Sequence, residues 1–294
     1  MKGEAEKQVI SVFGPTAVGK TAYALALPET RSIASLHYTG FDIISADSRQ
    51  IYQDIKIISG ADIPTHLPAN TKIHGIGILQ ANEDWSVAHF VKFAREIIAD
   101  SLKNNRLPII VGGTGLYHQQ LFAPAPTLQI KPNAKLRASL NKLSLEKLQD
   151  KLEEINPQKW ERMNNSDGNN PRRLVRAIEI ASPSPVSPPE VPLHLVAREI
   201  FLTDTLDNIK QKISLRVQDR FAHGAIEEIK SLKVIKSQSR KPISPQLLSA
   251  TGVGEIWDFV EGKISQEECL RRWALREFQY AKRQLTWAKR YGSG

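Results

Sequence analysis

Apolar runs and polar breaks divide the chain into short segments. Residues 8–13, Gln-Val-Ile-Ser-Val-Phe, form a β-branched and aromatic run that stops at Gly14 and Pro15, which predicts a buried strand. Helix formers follow from Thr21 to Leu27, and the runs 41–45 and 107–111 predict two more strands, the second ending at Gly112-Gly113. Between them, Val87, Phe90, Val91, Ala94, Ile97, Ile98 and Leu102 recur at the helical period within residues 86–103, giving one face fit to cover a sheet. Strand and helix in alternation predict an α/β fold with a mostly parallel sheet flanked by helices.

The pattern changes beyond Tyr117. Pro124, Pro126 and Pro132 interrupt the chain, and the Leu-, Lys- and Glu-rich stretch 133–163 reads as purely helical, so residues 125–168 are expected to be an inserted all-helical domain. The core domain then comprises 1–124 and 169–294. Proline density makes 182–192 a loop, after which Leu195 to Leu202 reads as a returning strand and 206–291 as largely helical.

A chain of 294 residues with 41% hydrophobic content has enough apolar surface for such a core. Forty Lys and Arg against 31 Asp and Glu leave a formal charge of +9, which draws phosphate-rich partners. The single cysteine, Cys269, excludes an internal disulfide and a Cys-based zinc cluster, so a reducing cytoplasm is expected. No apolar run approaches the roughly 20 residues that span a bilayer, and no membrane partner is expected.

Gly14-Pro-Thr-Ala-Val-Gly-Lys20-Thr21 fits the Walker A pattern and sits between a predicted strand and a predicted helix. Gly14 and Gly19 let successive amides curl around one anion. Lys20 adds charge, and the Thr21 hydroxyl suits magnesium. The motif does not separate a nucleoside triphosphate from another polyphosphate. Asp47 follows the second strand, at the edge where an open parallel sheet holds its ligand; it fits a proton acceptor, a metal ligand or a helix N-cap. Gly112-Gly113-Thr114-Gly115 brings a hydroxyl and amides to the same edge, and the three strand ends are expected to meet over one crevice.

The phosphate loop, Ala46-Asp47-Ser48-Arg49-Gln50-Ile51-Tyr52, Pro108-Ile-Ile-Val-Gly-Gly-Thr-Gly-Leu-Tyr117, Asn170-Pro-Arg-Arg-Leu-Val-Arg-Ala-Ile-Glu-Ile180 and Tyr280-Ala-Lys-Arg-Gln-Leu-Thr-Trp287 resemble the ordered motifs of the tRNA dimethylallyltransferase family. The resemblance runs from about residue 8 to 290. It implies a P-loop NTPase-like core with an inserted helical domain that contacts tRNA, magnesium, and dimethylallyl diphosphate as donor. The acceptor it implies is the exocyclic amine of the adenosine just 3′ of the anticodon, in the anticodon stem-loop. Carried over by position, Asp47 resembles the general base and Thr114 its partner. Gly14, Thr16, Ala17, Gly19, Lys20, Thr21 and Arg216 would bind the diphosphate, with Thr21 on the metal; Ser48, Arg49 and Gln50 would frame the adenine. The chain departs from the family pattern at Lys212, where arginine is common, and at Gly252-Val-Gly-Glu255.

A helical projection of 270–290 places Leu270, Ala274, Phe278, Ala281, Leu285 and Ala288 on one face, with Arg272, Arg276, Arg283 and Arg290 opposite. Lys282 and Lys289 widen that basic side. Glu277 is the only acid between them, so a cationic ridge for RNA phosphates is expected. Arg172, with Arg173 and Arg176, forms a second basic cluster. A monomer is expected. Two other readings stay open on the residues alone, a P-loop kinase of a small molecule or nucleotide and a non-catalytic RNA-binding protein.

Overall fold

Val9, Ile10 and Val12 are buried in the first strand, β1 (Gln8–Phe13), because neighbours cover both of its faces and both edges. The structure, a computed structural model, describes residues 8–27, 38–61, 63–182 and 195–291. After β1 come α1 (Lys20–Ala26), β2 (Gly40–Ser45), α2 (Lys56–Ser59), β3 (Thr71–His74), α3 (Val87–Lys103), β4 (Arg106–Gly112) and α4 (Gly115–Phe122). Five helices follow: α5 (Ala134–Leu140), α6 (Leu145–Ile155), α7 (Pro157–Glu161), α8 (Asn165–Gly168) and α9 (Pro171–Ala181). The chain then forms β5 (Val196–Phe201), α10 (Leu206–Arg220), α11 (Ile226–Gln238), α12 (Pro245–Leu248), α13 (Val253–Val260) and α14 (Gln266–Tyr291).

The sheet order is β3-β2-β4-β1-β5, and every pairing is parallel. Ile10 lies opposite Ile109 and Ser45 opposite Val111, so β1, β4 and β2 end together on one edge. β3 had no signal in the sequence. It is four residues long, lies on the sheet edge and carries no apolar run. Ile10, Val12, Ile43, Ile109 and Val111 pack with Ala24 and Leu27 to form one core layer. A second cluster joins Ile51, Tyr52, Ile55 and Ile58 to α10, α11, α13 and α14, with Trp273 fully buried in it. Truncating a buried aromatic of this size costs about 3–5 kcal/mol.

The chain divides into two compact units, one of Met1–Ala123 with Leu193–Gly294 and the other of Pro124–Pro192. The second unit closes around Leu140, Leu148, Leu152, Leu174 and Ile178. Helix α9 falls in this unit rather than in the core, where the expected boundary at 168 placed it. The reason is its apolar stripe, Leu174, Val175, Ala177 and Ile178, which covers α6. On the same helix, Glu179 is buried and accepts bonds from Arg137 (2.8 Å), Arg176 (2.5 Å) and the Asn133 amide (2.6 Å). Burial pushes its carboxyl up, but these donors hold it at about 2. The proline-rich loop expected at 182–192 falls almost entirely outside the described residues.

The long helical tail is interrupted where α10 meets α11. A π turn at Phe221–Ala225 contains Gly224 at φ 116, and a Cβ there would stand 2.6 Å from Ile57 Cδ1. A second interruption, non-helical residues 239–244, separates α11 from α12.

Candidate active site

The turn after β1 curls as its glycines predict. A Cβ on Gly14 would collide with the Leu202 carbonyl beyond β5, and Gly19 takes φ 82 as the N-cap of α1. Ala17 also adopts a left-handed conformation, φ 67, at a cost of about 1–2 kcal/mol for a residue with a Cβ. Lys20 Nζ donates to the Pro15 carbonyl across the loop (2.6 Å). Burial lowers its ammonium to about 8; the Asp47 charge opposes this shift and the Arg216 charge adds to it. Thr21 lies half-buried in the first turn of α1.

The ends of β2 and β4 do converge beside this loop. A Cβ on Gly112 would strike the Ala46 backbone, and one on Gly113 would come within 3.3 Å of the Gly14 carbonyl. Only glycines allow the strand ends to approach so closely. The Ser48 amide donates to Thr114 Oγ1 (3.3 Å), tying the two turns together. Asp47 Oδ1 accepts the Arg49 amide (2.8 Å) and, more weakly, the Gln50 amide (3.4 Å). Oδ2 accepts no hydrogen bond among the described residues. Asp47 therefore caps a turn with one oxygen, in the manner of an N-cap, and keeps the other open toward chemistry.

The three residues after Asp47 are placed differently from one another. Arg49 donates to the Gln246 carbonyl, and Gln246 Nε2 donates to the Ser48 carbonyl (2.9 Å), so α12 buttresses this turn. Gln50 is spent within the fold. Its Oε1 accepts from Ser45 Oγ (2.8 Å) and its Nε2 donates to the Gly60 carbonyl (2.8 Å), which leaves it to shape the turn rather than to read a base.

Helix α14 supplies what the sequence reading did not assign. Its buried stripe is Cys269, Trp273, Glu277, Ala281 and Gln284, one position before the apolar face expected at 270, 274 and 278. Two polar residues on that stripe reach the site. Gln284 Oε1 accepts the Thr16 amide (2.8 Å) while its Nε2 donates to the Gly113 carbonyl (2.8 Å). Arg216, from α10, donates through Nη2 to Thr16 Oγ1 (2.6 Å) and to Glu277 Oε1 (2.7 Å). Burial first, then the Asp47 charge, pushes the Tyr280 hydroxyl up to about 12, so it remains protonated at neutral pH. Tyr117 is raised by burial and by the same charge. A Gln and a Glu seven residues apart on the inward side of a helix were the available signal, and a projection that counts only apolar residues passes over them.

The basic side of α14 is less free than its composition suggests. Arg272 pairs with Glu268 (2.6 Å) and Arg276 with Glu255 (2.6 Å), acids that come from the preceding turn and from α13. Glu277 is not part of the ridge at all. Lys282 and Arg283 are exposed, lying over the Phe278 and Tyr280 rings at 5.7 Å each. In the second unit Arg172 is exposed, whereas Arg173 pairs with Asp167 and Arg176 with Glu179. The side chain of Arg290 falls outside the described residues.

This arrangement matches known proteins over nearly the whole chain. The model of the IPP transferase family matches residues 50–291, and that of isopentenyl transferase matches residues 7–77. A tRNA dimethylallyltransferase of Oleidesulfovibrio alaskensis is 33% identical, covering 96% of this chain and 90% of the relative. One of Bacillus mycoides is 32% identical over 97% of this chain and 88% of the relative. Among solved structures, the full-length tRNA isopentenylpyrophosphate transferase of Bacillus halodurans superposes with a TM-score of 0.64 at 30% identity, covering 97% of this chain and 87% of that one. A eukaryotic dimethylallyltransferase acting on tRNA shares the fold, with a TM-score of 0.75 at 24% identity over 97% of this chain and 70% of that one. With phosphate loop, Asp47 turn and Thr114 turn gathered at one sheet edge and this agreement along its length, the chain belongs to the IPP transferase family, the tRNA dimethylallyltransferases.

Proposed function

We propose that the protein transfers the dimethylallyl group of dimethylallyl diphosphate to the exocyclic N6 amine of the tRNA adenosine just 3′ of the anticodon. The observation that carries this reading is the open Oδ2 of Asp47, set beside a phosphate loop whose residue Thr16 is gripped at both its amide and its hydroxyl. Departure of diphosphate builds negative charge. Loop amides, Lys20 and Arg216 neutralise it, a contribution that is commonly the largest in such a site. Arg216 retains Nε, a buried donor with no acceptor among the described residues, for the incoming anion. Asp47 orients the amine and takes its proton at Oδ2, with Thr114 tied to the same turn by the Ser48 amide.

Magnesium fits the residues present only together with the substrate. No group of three or more His, Cys, Asp or Glu among the described residues could hold a metal. Thr21 would give one hydroxyl ligand and the diphosphate would give the others, as is usual for this ion. Bound there, magnesium supplies charge neutralisation for the leaving group.

The acceptor adenine is stacked within an anticodon loop and has to leave the stack to meet Asp47. Exposed Lys282 and Arg283 on α14, and Arg172 in the second unit, are suited to the RNA phosphates. Among the described residues no helix is long and apolar enough to cross a membrane. Incubation with dimethylallyl diphosphate, magnesium and total tRNA, followed by nucleoside analysis, is expected to yield N6-dimethylallyladenosine. Unmodified adenosine at that position would refute the assignment.

Donor affinity is expected to depend on pH through Lys20. With its ammonium near 8 in the free protein, Lys20 is charged at neutral pH and loses its proton as pH rises through 8. A bound diphosphate favours the charged form, so affinity is greatest below that point and falls above it. Titration calorimetry with dimethylallyl diphosphate from pH 7 to 9.5 should show this decline. Affinity that rises or stays flat over the range would remove Lys20 from the site.

A further inference from the structure

Three cations crowd the phosphate loop and its support, and one carboxylate oxygen serves two of them. Glu277 Oε1 lies 2.7 Å from Arg216 Nη2 and 3.5 Å from Arg220 Nη1. Glu277 and Arg220 are each 5% exposed, so neither charge is relieved by water. Arg220 packs over Gly60, where a Cβ would collide with its guanidinium, and donates to the Ile58 carbonyl at 3.4 Å. Glu228 accepts the Ile57 amide (2.7 Å) and the Ile58 amide (2.9 Å) on the same backbone segment; burial raises its carboxyl, opposed by these two amides and then by the Arg220 charge. Charges therefore alternate from Arg220 through Glu277 to Arg216, and the series ends on the Thr16 hydroxyl.

Stability is a poor explanation for this series. A buried cluster of ions is commonly no better for the fold than apolar residues of the same size. This one also leaves Arg216 Nε and Glu277 Oε2 buried without hydrogen-bond partners among the described residues, which costs free energy. What the series does achieve is geometric. Two guanidiniums of like charge are held side by side, and the outer one is kept on the phosphate loop by two short bonds from Nη2.

We propose that Glu277 is a positioning residue for donor binding: by balancing the buried charge of Arg220 it keeps Arg216 seated on Thr16, preorganised for the diphosphate. It touches no reacting atom. The inference rests on the reading of the loop as a diphosphate site. With Glu277 neutral, Arg220 repels Arg216 in a medium that screens the repulsion poorly, and the guanidinium leaves the loop.

The test is Glu277→Gln in the full chain, a change that keeps the shape and an acceptor but removes the charge. The dissociation constant for inorganic diphosphate with magnesium, and KM for dimethylallyl diphosphate, should rise about tenfold, while KM for tRNA moves less than about threefold. Adding Arg220→Met removes the charge that needs balancing and should restore both constants to near the wild-type values. Thermal melting and circular dichroism establish that each variant is folded at the assay temperature. If Glu277→Gln does not fold, Glu277→Asp takes its place, since it keeps the charge and shortens the reach; the same split at smaller size is expected.

Wild-type diphosphate affinity in folded Glu277→Gln, with Arg220 intact, would overturn the proposal, as it would in Glu277→Asp where that takes its place. So would a loss of affinity that Arg220→Met fails to restore, because Glu277 would then act on Arg216 without regard to Arg220. A wild-type chain that binds no diphosphate would remove the underlying reading of the loop, and this inference with it, a result distinct from either of those.

Discussion

Lys20→Ala is expected to lower prenyl transfer by about a hundredfold to a thousandfold, the range seen when one donor to a developing anion is removed. Its ammonium now rests on the Pro15 carbonyl, 2.6 Å away, inside the loop that curls around the anion. Binding of the diphosphate swaps that single carbonyl for a multiply charged partner, and departure of the prenyl group strengthens the contact further. Both KM for dimethylallyl diphosphate and kcat should therefore suffer. Affinity for tRNA should stay within about threefold, because Lys282 and Arg283 lie on a different, exposed surface and share no partner with Lys20. Single-turnover assays with saturating tRNA, alongside filter binding of tRNA, measure both. Equal loss of tRNA affinity in a folded variant would contradict the separation of the two surfaces.

Asp47→Asn separates the two roles that its oxygens divide. The amide oxygen of asparagine still accepts from the Arg49 and Gln50 amides, so the turn and its stability should survive. The side chain can no longer take up a proton where Oδ2 stood. The rate of a single turnover is expected to fall by at least about a hundredfold with both substrate affinities little changed. Asp47→Ala should lose the same rate and also about 0.5–2 kcal/mol of stability through the lost cap. A fully active Asp47→Asn protein would reduce Asp47 to a turn cap.

Much of the core was legible because its signals are local. A strand buried on both faces is a short apolar run, and β1, β2 and β4 each lie within a residue or so of where that run predicts, as does the partly exposed edge strand β5. The phosphate loop was legible for a similar reason, since a sharp anion-binding turn needs glycines at fixed spacing. β3 escaped because an edge strand of four half-exposed residues requires no apolar pattern. Helix α9 was misplaced because the boundary at 168 followed the end of the Leu-, Lys- and Glu-rich stretch at 163, while its membership is decided by where its apolar stripe finds a partner.

The site was legible where one side chain does the work and obscure where two distant ones share it. Asp47 and Thr114 each follow a strand end, so local order points to them. Glu277 and Gln284 matter only because Arg216, 61 residues before Glu277, and Thr16, 268 before Gln284, come to meet them. Nothing in the sequence around α14 announces those partners. The same distance explains the ridge: charge counting along 270–290 could not see that Glu255 would neutralise Arg276 from α13.

The phosphate loop is expected to serve a prenyl diphosphate and not ATP. One reaction tests it most directly: the protein, magnesium and total tRNA with dimethylallyl diphosphate carrying label in the prenyl group and ATP carrying a different label in its γ-phosphate. Prenyl label is expected in tRNA, with none in adenosine monophosphate offered as a rival acceptor and no transfer of the γ-phosphate. Transfer of γ-phosphate to any acceptor, with tRNA left unlabelled, would contradict it.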